Sequence, residues 1–173
     1  NLTEPPVLSN NISSSNVRWY GSSDGSISIN VSGAVLGYNT NWGGITNPNA
    51  LAVGNYIITT TDSNNCVAID SVEITQPNIL SGSILITSNY NGEDISCYGY
   101  SDGSLIANIM GGVLPYTYNW SSGGITNIED SLTSGTYSLT ITDSNNCTTT
   151  LNTTLNEPSA LQITTVAIDV SCN

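Results

Sequence analysis

The 173-residue chain contains no histidine, no lysine and no phenylalanine, and its single basic residue, Arg18, stands against 13 Asp plus Glu. Each absence removes a class of function. Without histidine there is no Ser-His-Asp or Cys-His arrangement, no zinc site that needs imidazole, and no general base of the commonest kind near neutral pH. A net charge of −12 repels DNA, RNA and anionic lipid, since the cations that neutralise phosphate are missing. No apolar run approaches the ~18 residues of a membrane helix, and no basic segment followed by an apolar one opens the chain, so direct membrane insertion is not expected. Carboxylates remain, but no pair is held at a fixed spacing on a recognisable frame, so an enzyme is not expected. The chain starts at Asn1 without methionine and stops at Cys172-Asn173, which reads as a mature piece of something larger.

Thirty-eight per cent of the residues are hydrophobic, much of that as Ile, Val, Leu and Tyr in short runs that a disordered acidic tail would lack. Apolar residues fall near every second position in Ser26–Val31, Tyr56–Thr59, Ser104–Met110 and Tyr137–Ile141. That is the period of a half-buried strand, and no spacing of three or four persists long enough for a helix. Short strands separated by Gly, Asn, Asp and Pro turns suggest a small antiparallel sandwich.

The hexapeptide TDSNNC occurs at 61–66 and again at 142–147. Superposing the two brings their surroundings into register: Ser23–Ser26 on Ser101–Ser104, Gly33–Trp42 on Gly111–Trp120, and Leu51–Tyr56 on Leu132–Tyr137. Length differences fall between strands, where insertions cost little; a slip inside a strand would turn its core face outward. Residues 17–77 and 78–158 are therefore two tandem repeats. Residues 1–16 read as linker or the end of a preceding repeat, and 159–173 as the start of a third repeat or a closing segment. In each repeat one tryptophan, Trp42 or Trp120, is expected at the core, because so small a domain needs its indole inside. Tyr56 and Tyr137, each two residues after a glycine, suit a tyrosine corner, with the hydroxyl bonded to nearby backbone.

The strings SCYGYSDGSL, GGVLPYTYNW and LTSGTYSLTITDSNNC, followed by an apolar strand and Glu157-Pro158, resemble the SprB repeat of large Bacteroidetes cell-surface adhesins. The resemblance spans about Ile84 to Pro158 and extends over the first copy with Trp19 in place of Cys97 and Gly37 in place of Pro115. It implies an all-β fold of tandem immunoglobulin-like antiparallel β-sandwich repeats, extracellular and at the cell surface, in arrays serving adhesion or gliding motility. It also implies Trp120, Tyr116 and Tyr137 in the core, Asp102-Gly103 in a turn, and Cys97 and Cys147 at the usual cysteine positions.

Four cysteines, Cys66, Cys97, Cys147 and Cys172, in an exported β protein suggest structural bridges. Two pairings stay open. A bridge inside the second repeat joins Cys97 to Cys147. An offset scheme joins Cys66 to Cys97 and Cys147 to Cys172; it uses all four and explains Trp19, but requires part of 78–97 to pack back on the first repeat. The count favours the offset scheme.

Asp62 with Asn64, and Asp143 with Asn145, offer carboxylate and amide oxygens to a candidate calcium ion, though the same residues also make ordinary tight turns. No other cofactor is expected. Tyr90, Tyr98 and Tyr100 are the candidate ligand-binding aromatics. The expected function is a disulfide-stabilised spacer or stalk segment of a surface adhesin or filament, with neighbouring repeats of the same polypeptide as partners. The alternative is a module that recognises a surface glycan or protein through end loops.

Overall fold

The computed structural model describes residues 6–34 and 37–167. Every regular element among them is a strand, and every strand pairing recorded is antiparallel. No helix is long and apolar enough to cross a membrane. The chain divides into two compact units. The first holds residues up to Leu80 together with Met110–Pro115 and Asp143–Cys147; the second holds Ser81–Ile109, Tyr116–Thr142 and the chain from Thr148 onward.

In the first unit, β1 (Ser9–Ser15) pairs with β2 (Ser26–Ser32), and β3 (Tyr38–Asn41), β4 (Gly54–Asp62) and β5 (Val67–Ile74) form a sheet with β4 in the middle. Along β4 the inward positions carry Ile58, Thr60 and Asp62, all buried, while Ile57 faces out. Val17, Ile27, Leu51, Ile58 and Ile74 form the core, with Ile12, Ile29, Trp42, Tyr56 and Val72 packed against it.

Ser9–Ser15 had read as linker or the end of a preceding repeat; it is instead a paired strand of the first unit. The sequence SNNISSS has one apolar residue, Ile12, so alternation could not announce it. Its pairing rests on the backbone ladder and on cross-strand hydroxyl pairs, Ser9 with Ser32 at 2.7 Å, Ser13 with Ser28 at 2.7 Å and Ser15 with Ser26 at 2.8 Å.

In the second unit, β6 (Ser81–Ile86), β7 (Gly103–Met110), β8 (Thr117–Trp120), β9 (Ile128–Leu132), β10 (Gly135–Thr142) and β11 (Thr148–Leu155) form two three-stranded sheets, ordered β6-β7-β9 and β11-β10-β8. Ile95, Leu105, Ala107, Trp120, Leu132, Leu139, Ile141 and Leu155 are buried. The stretch from Ser81 onward thus folds with β7 rather than returning to the first unit, while residues 78–80 group with the first unit. Residues 156–167 carry no strand.

The two Asp-Gly pairs do more than open a strand. A Cβ on Gly103 would lie 2.7 Å from Ile95 Cδ1, 2.7 Å from Leu155 Cδ1 and 3.0 Å from the Leu132 carbonyl. On Gly25 it would lie 2.8 Å from Ile74 Cγ2 and 2.9 Å from the Leu51 carbonyl. The bridges Gly25 to Leu51 and Gly103 to Leu132 bring the backbones this close. A glycine is needed because there is no room for a methyl group. Gly103→Ala is expected to destabilise the protein by about 1–3 kcal/mol, the usual cost of overpacking; an unchanged urea midpoint would show that the neighbours move aside freely.

Candidate functional site

The repeated hexapeptide closes the β4–β5 hairpin in one copy and the β10–β11 hairpin in the other. In the first, the Asp62 N–H donates to the Cys66 carbonyl (3.0 Å), the Asn65 N–H to the Asp62 carbonyl (3.1 Å), and Asn65 sits at φ 60°. In the second, Asp143 donates to Cys147 (2.9 Å), Asn146 to Asp143 (3.0 Å), and Asn146 has φ 66°. This is a three-residue hairpin loop whose left-handed position is filled by asparagine, which tolerates it better than most side chains. Asp62 Oδ1 accepts the N–H groups of Asn64 and Cys66, each at 2.9 Å. Asp143 Oδ1 accepts those of Asn145 and Cys147 at 2.9 Å, and its Oδ2 accepts the Val113 N–H at 2.9 Å.

Both aspartates are buried, and their oxygens accept backbone N–H donors. A cation approaching along those directions would meet the positive ends of amides. Among the described residues no group of three or more His, Cys, Asp or Glu side chains could hold a metal ion. Asn64 and Asn145 contribute their backbone N–H to the aspartates, and the Asn145 side-chain amide donates to the Arg18 carbonyl.

Cys66, Cys97 and Cys147 are free thiols, and Cys172 lies outside the described residues. The expectation of a disulfide-stabilised segment is overturned. For the bridge from Cys97 to Cys147 the reason is geometric. Cys147 immediately precedes β11, whereas the loop of Cys97 is tied to the residues after that strand: the Gly99 N–H donates to Glu157 Oε2 at 2.6 Å, and the Asn156 N–H to Asp94 Oδ2 at 2.8 Å. The eight residues of β11 span about 26 Å at ~3.3 Å each, against the ~4.4–6.8 Å between Cα atoms that a disulfide accepts. For the offset pairing, Cys66 and Cys97 stand in different units; counting cysteines carries no information about place.

Alkylation without prior reduction is expected to label Cys66, Cys97 and Cys147, with Cys147 slowest. Burial pushes the Cys147 thiol up, and the neighbouring Asp143 carboxylate pushes it further, so less thiolate is present at a given pH. A reductant requirement for labelling any of the three would contradict the free thiols.

Tyr56 and Tyr137 each donate a hydroxyl to the carbonyl four residues earlier, Ala52 at 2.9 Å and Thr133 at 2.8 Å. Trp120 is 2% exposed and its Nε1 donates to the Thr126 carbonyl at 2.8 Å. Trp42 is half-buried against the first core, and Tyr116 is half-buried.

Of the three candidate aromatics, Tyr98 and Tyr100 stand 62% and 58% exposed, while Tyr90 donates its hydroxyl to the Asp102 carbonyl at 3.2 Å. Burial, then the Asp102 charge, raises the Tyr90 hydroxyl above its usual range. The loop bearing Tyr98 and Tyr100 is pinned by Asp102, whose Oδ1 accepts the Ser96 N–H at 3.1 Å; Asp24 does the same for Arg18 at 3.1 Å. Hydrogen bonding to the Ser96 side chain, helped by backbone N–H groups and opposed by burial, holds the Asp102 carboxyl below its ordinary 3.8. A lowered folded value means stability present above the unfolded pKa and lost as pH falls through the folded one. The sequence marked Asp102 as a turn residue; its pinning role depends on a partner six residues back and had no local signal.

Two open clefts accompany these loops. One of about 500 Å3 lies along Gly43–Asn47, Leu51, Asn55 and Tyr56. The other, about 340 Å3, is lined by Ser96, Cys97, Tyr98, Pro158, Ala160 and Leu161. Neither is lined by a carboxylate, so neither holds the acid pair that glycoside hydrolysis uses.

Residues 89–124 match the SprB repeat. The SprB match runs from the tyrosine-bearing loop through β7 and β8 to the turn after Trp120. Among solved structures, the C-terminal 282-residue fragment of intimin, in complex with the intimin-binding domain of the translocated intimin receptor, aligns over 86% of this chain at 15% identity and a TM-score of 0.38. The chain spans 63% of that fragment. No curated protein matches the chain.

Proposed function

We propose that the chain is a non-catalytic β-repeat segment of an adhesin-like surface protein, each copy folding as an immunoglobulin-like sandwich held by packing and turn hydrogen bonds without disulfides. The observation that carries this reading is where the shared residues go. The aspartate side chains of TDSNNC, the backbone N–H groups of Asn64 and Asn145, the glycines of the Asp-Gly pairs and the tyrosines at 56 and 137 hold the fold. Repeats that share their scaffold stack on one another, and neighbouring repeats of the same polypeptide are their natural partners.

The recognition alternative is favoured by the exposure of Tyr98 and Tyr100 beside the smaller cleft. Screening the purified chain against cell-surface glycans separates the two. The spacer reading expects no binding; binding that disappears in Tyr98→Ala or Tyr100→Ala would replace it with recognition.

A further inference from the structure

The two copies build the same three-stranded sheet, β3-β4-β5 in one and β8-β10-β11 in the other, and its outward faces differ. Directly opposed residues of an antiparallel pair point to the same side. In the first unit the outward pairs of β4 and β5 are Asn55 with Glu73, Ile57 with Ser71, Thr59 with Ile69 and Thr61 with Val67. Ile57, Ile69 and Val67 stand 59%, 66% and 55% exposed. At the matching positions of β10 and β11 stand Thr136 with Thr154, Ser138 with Asn152, Thr140 with Thr150 and Thr142 with Thr148. The second unit thus forms this ladder with no aliphatic side chain in those pairs. The three aliphatics of the first unit are not required by the sheet that carries them.

Their arrangement is self-complementary. Each of the three pairs couples one aliphatic with one small hydroxyl residue, the aliphatic being on β4 in the first and on β5 in the other two. Consider a two-fold axis lying over the face, parallel to the strands and midway between β4 and β5. It lays β4 of one copy over β5 of the other, so Ile57 meets Ser71, Ile69 meets Thr59 and Val67 meets Thr61. Every large side chain then has a small one opposite, as in two sheet faces that interdigitate ~10 Å apart with their strands aligned. Charge fits the same operation. Glu73 is the one carboxylate among the eight residues, and it meets the amide of Asn55 rather than a second Glu73.

We infer that the outward face of β4 and β5 docks on the same face of a second copy of this chain, as an isologous two-fold dimer. The eight register pairs run ~27 Å at ~3.4 Å each, and two strands ~10 Å across give roughly 300 Å2 a side. A stable interface takes about 800 Å2 from each partner, so the dimer is weak. The net charge of −12 opposes it further, and salt strengthens it by screening that repulsion.

Sedimentation equilibrium of the purified chain at raised salt, up to millimolar concentration, is the test. The average mass is expected to rise toward that of a dimer and stop there. Exchanging the three aliphatics for the second unit's own residues, Ile57→Ser, Val67→Thr and Ile69→Thr together, is expected to weaken the association at least about tenfold. The ladder of β10 and β11 shows that such a sheet still forms. Thr59→Ile separates the two-fold fit from general stickiness: it adds apolar surface, yet it sets an isoleucine against Ile69 of the second copy, so the association is expected to weaken. A monomer at every concentration, growth past the dimer, indifference to the triple exchange, or an association that Thr59→Ile leaves unchanged or strengthens would overturn the inference. No glycan enters the experiment, so its failure is separate from failure of the spacer reading.

Discussion

Trp120→Ala is expected to destabilise the second unit by about 3–5 kcal/mol, the range for truncating a buried aromatic. The indole is 2% exposed, and its N–H holds the Thr126 carbonyl, so the change leaves both a cavity and an unpaired acceptor. Strand β8 has only four residues, paired along one side with β10. Trp42→Ala is expected to cost clearly less, since Trp42 is only half-buried. Urea denaturation followed by far-ultraviolet circular dichroism compares the two; equal losses would mean that the burial difference between the copies does not govern their cores.

The second large effect is expected at Asp143. Asp143→Ala strips the acceptor from three backbone N–H groups, those of Asn145, Cys147 and Val113. Their combined loss should be about 3 kcal/mol, at the level of charge-assisted hydrogen bonds left unmade in a buried site. Asp143→Asn should fall between, because its Oδ1 still serves two donors while an amide NH2 confronts the Val113 N–H. The same losses are expected in excess chelator. A loss that shrank on chelation would return a calcium role to the turn.

What the sequence could say depended on whether the signal was local. Strands β4 and β10 were legible because Ile58, Leu139 and Ile141 fall on the inward beat of an alternating pattern. Strand β1 was silent because serine supplies no beat, and its pairing is written in β2 rather than in itself. The Asp-Gly pairs were legible as turns, but the reason for the glycine lies in Leu155 and Leu132, far along the chain. The tyrosine hydroxyl bonds were foreseeable from the Gly-x-Tyr placement at a strand start; the pinning of the tyrosine loop by Asp102 was not, since no pattern links Ser96 to it. The cysteines misled because parity was counted where place in the fold decided, Cys66 and Cys97 standing in different units.

The unbridged thiols have a mechanical consequence. A disulfide spanning a domain withholds the loop it closes when the chain is pulled; here Cys66 and Cys147 of the first unit and Cys97 of the second are all free. Stretched from its ends, the segment 9–77 can surrender its whole contour, roughly 230 Å at ~3.4 Å per residue. An array of such units would lengthen in large steps under tension and shorten again on refolding, behaving as a compliant tether, and single-molecule pulling would read that compliance directly as step length.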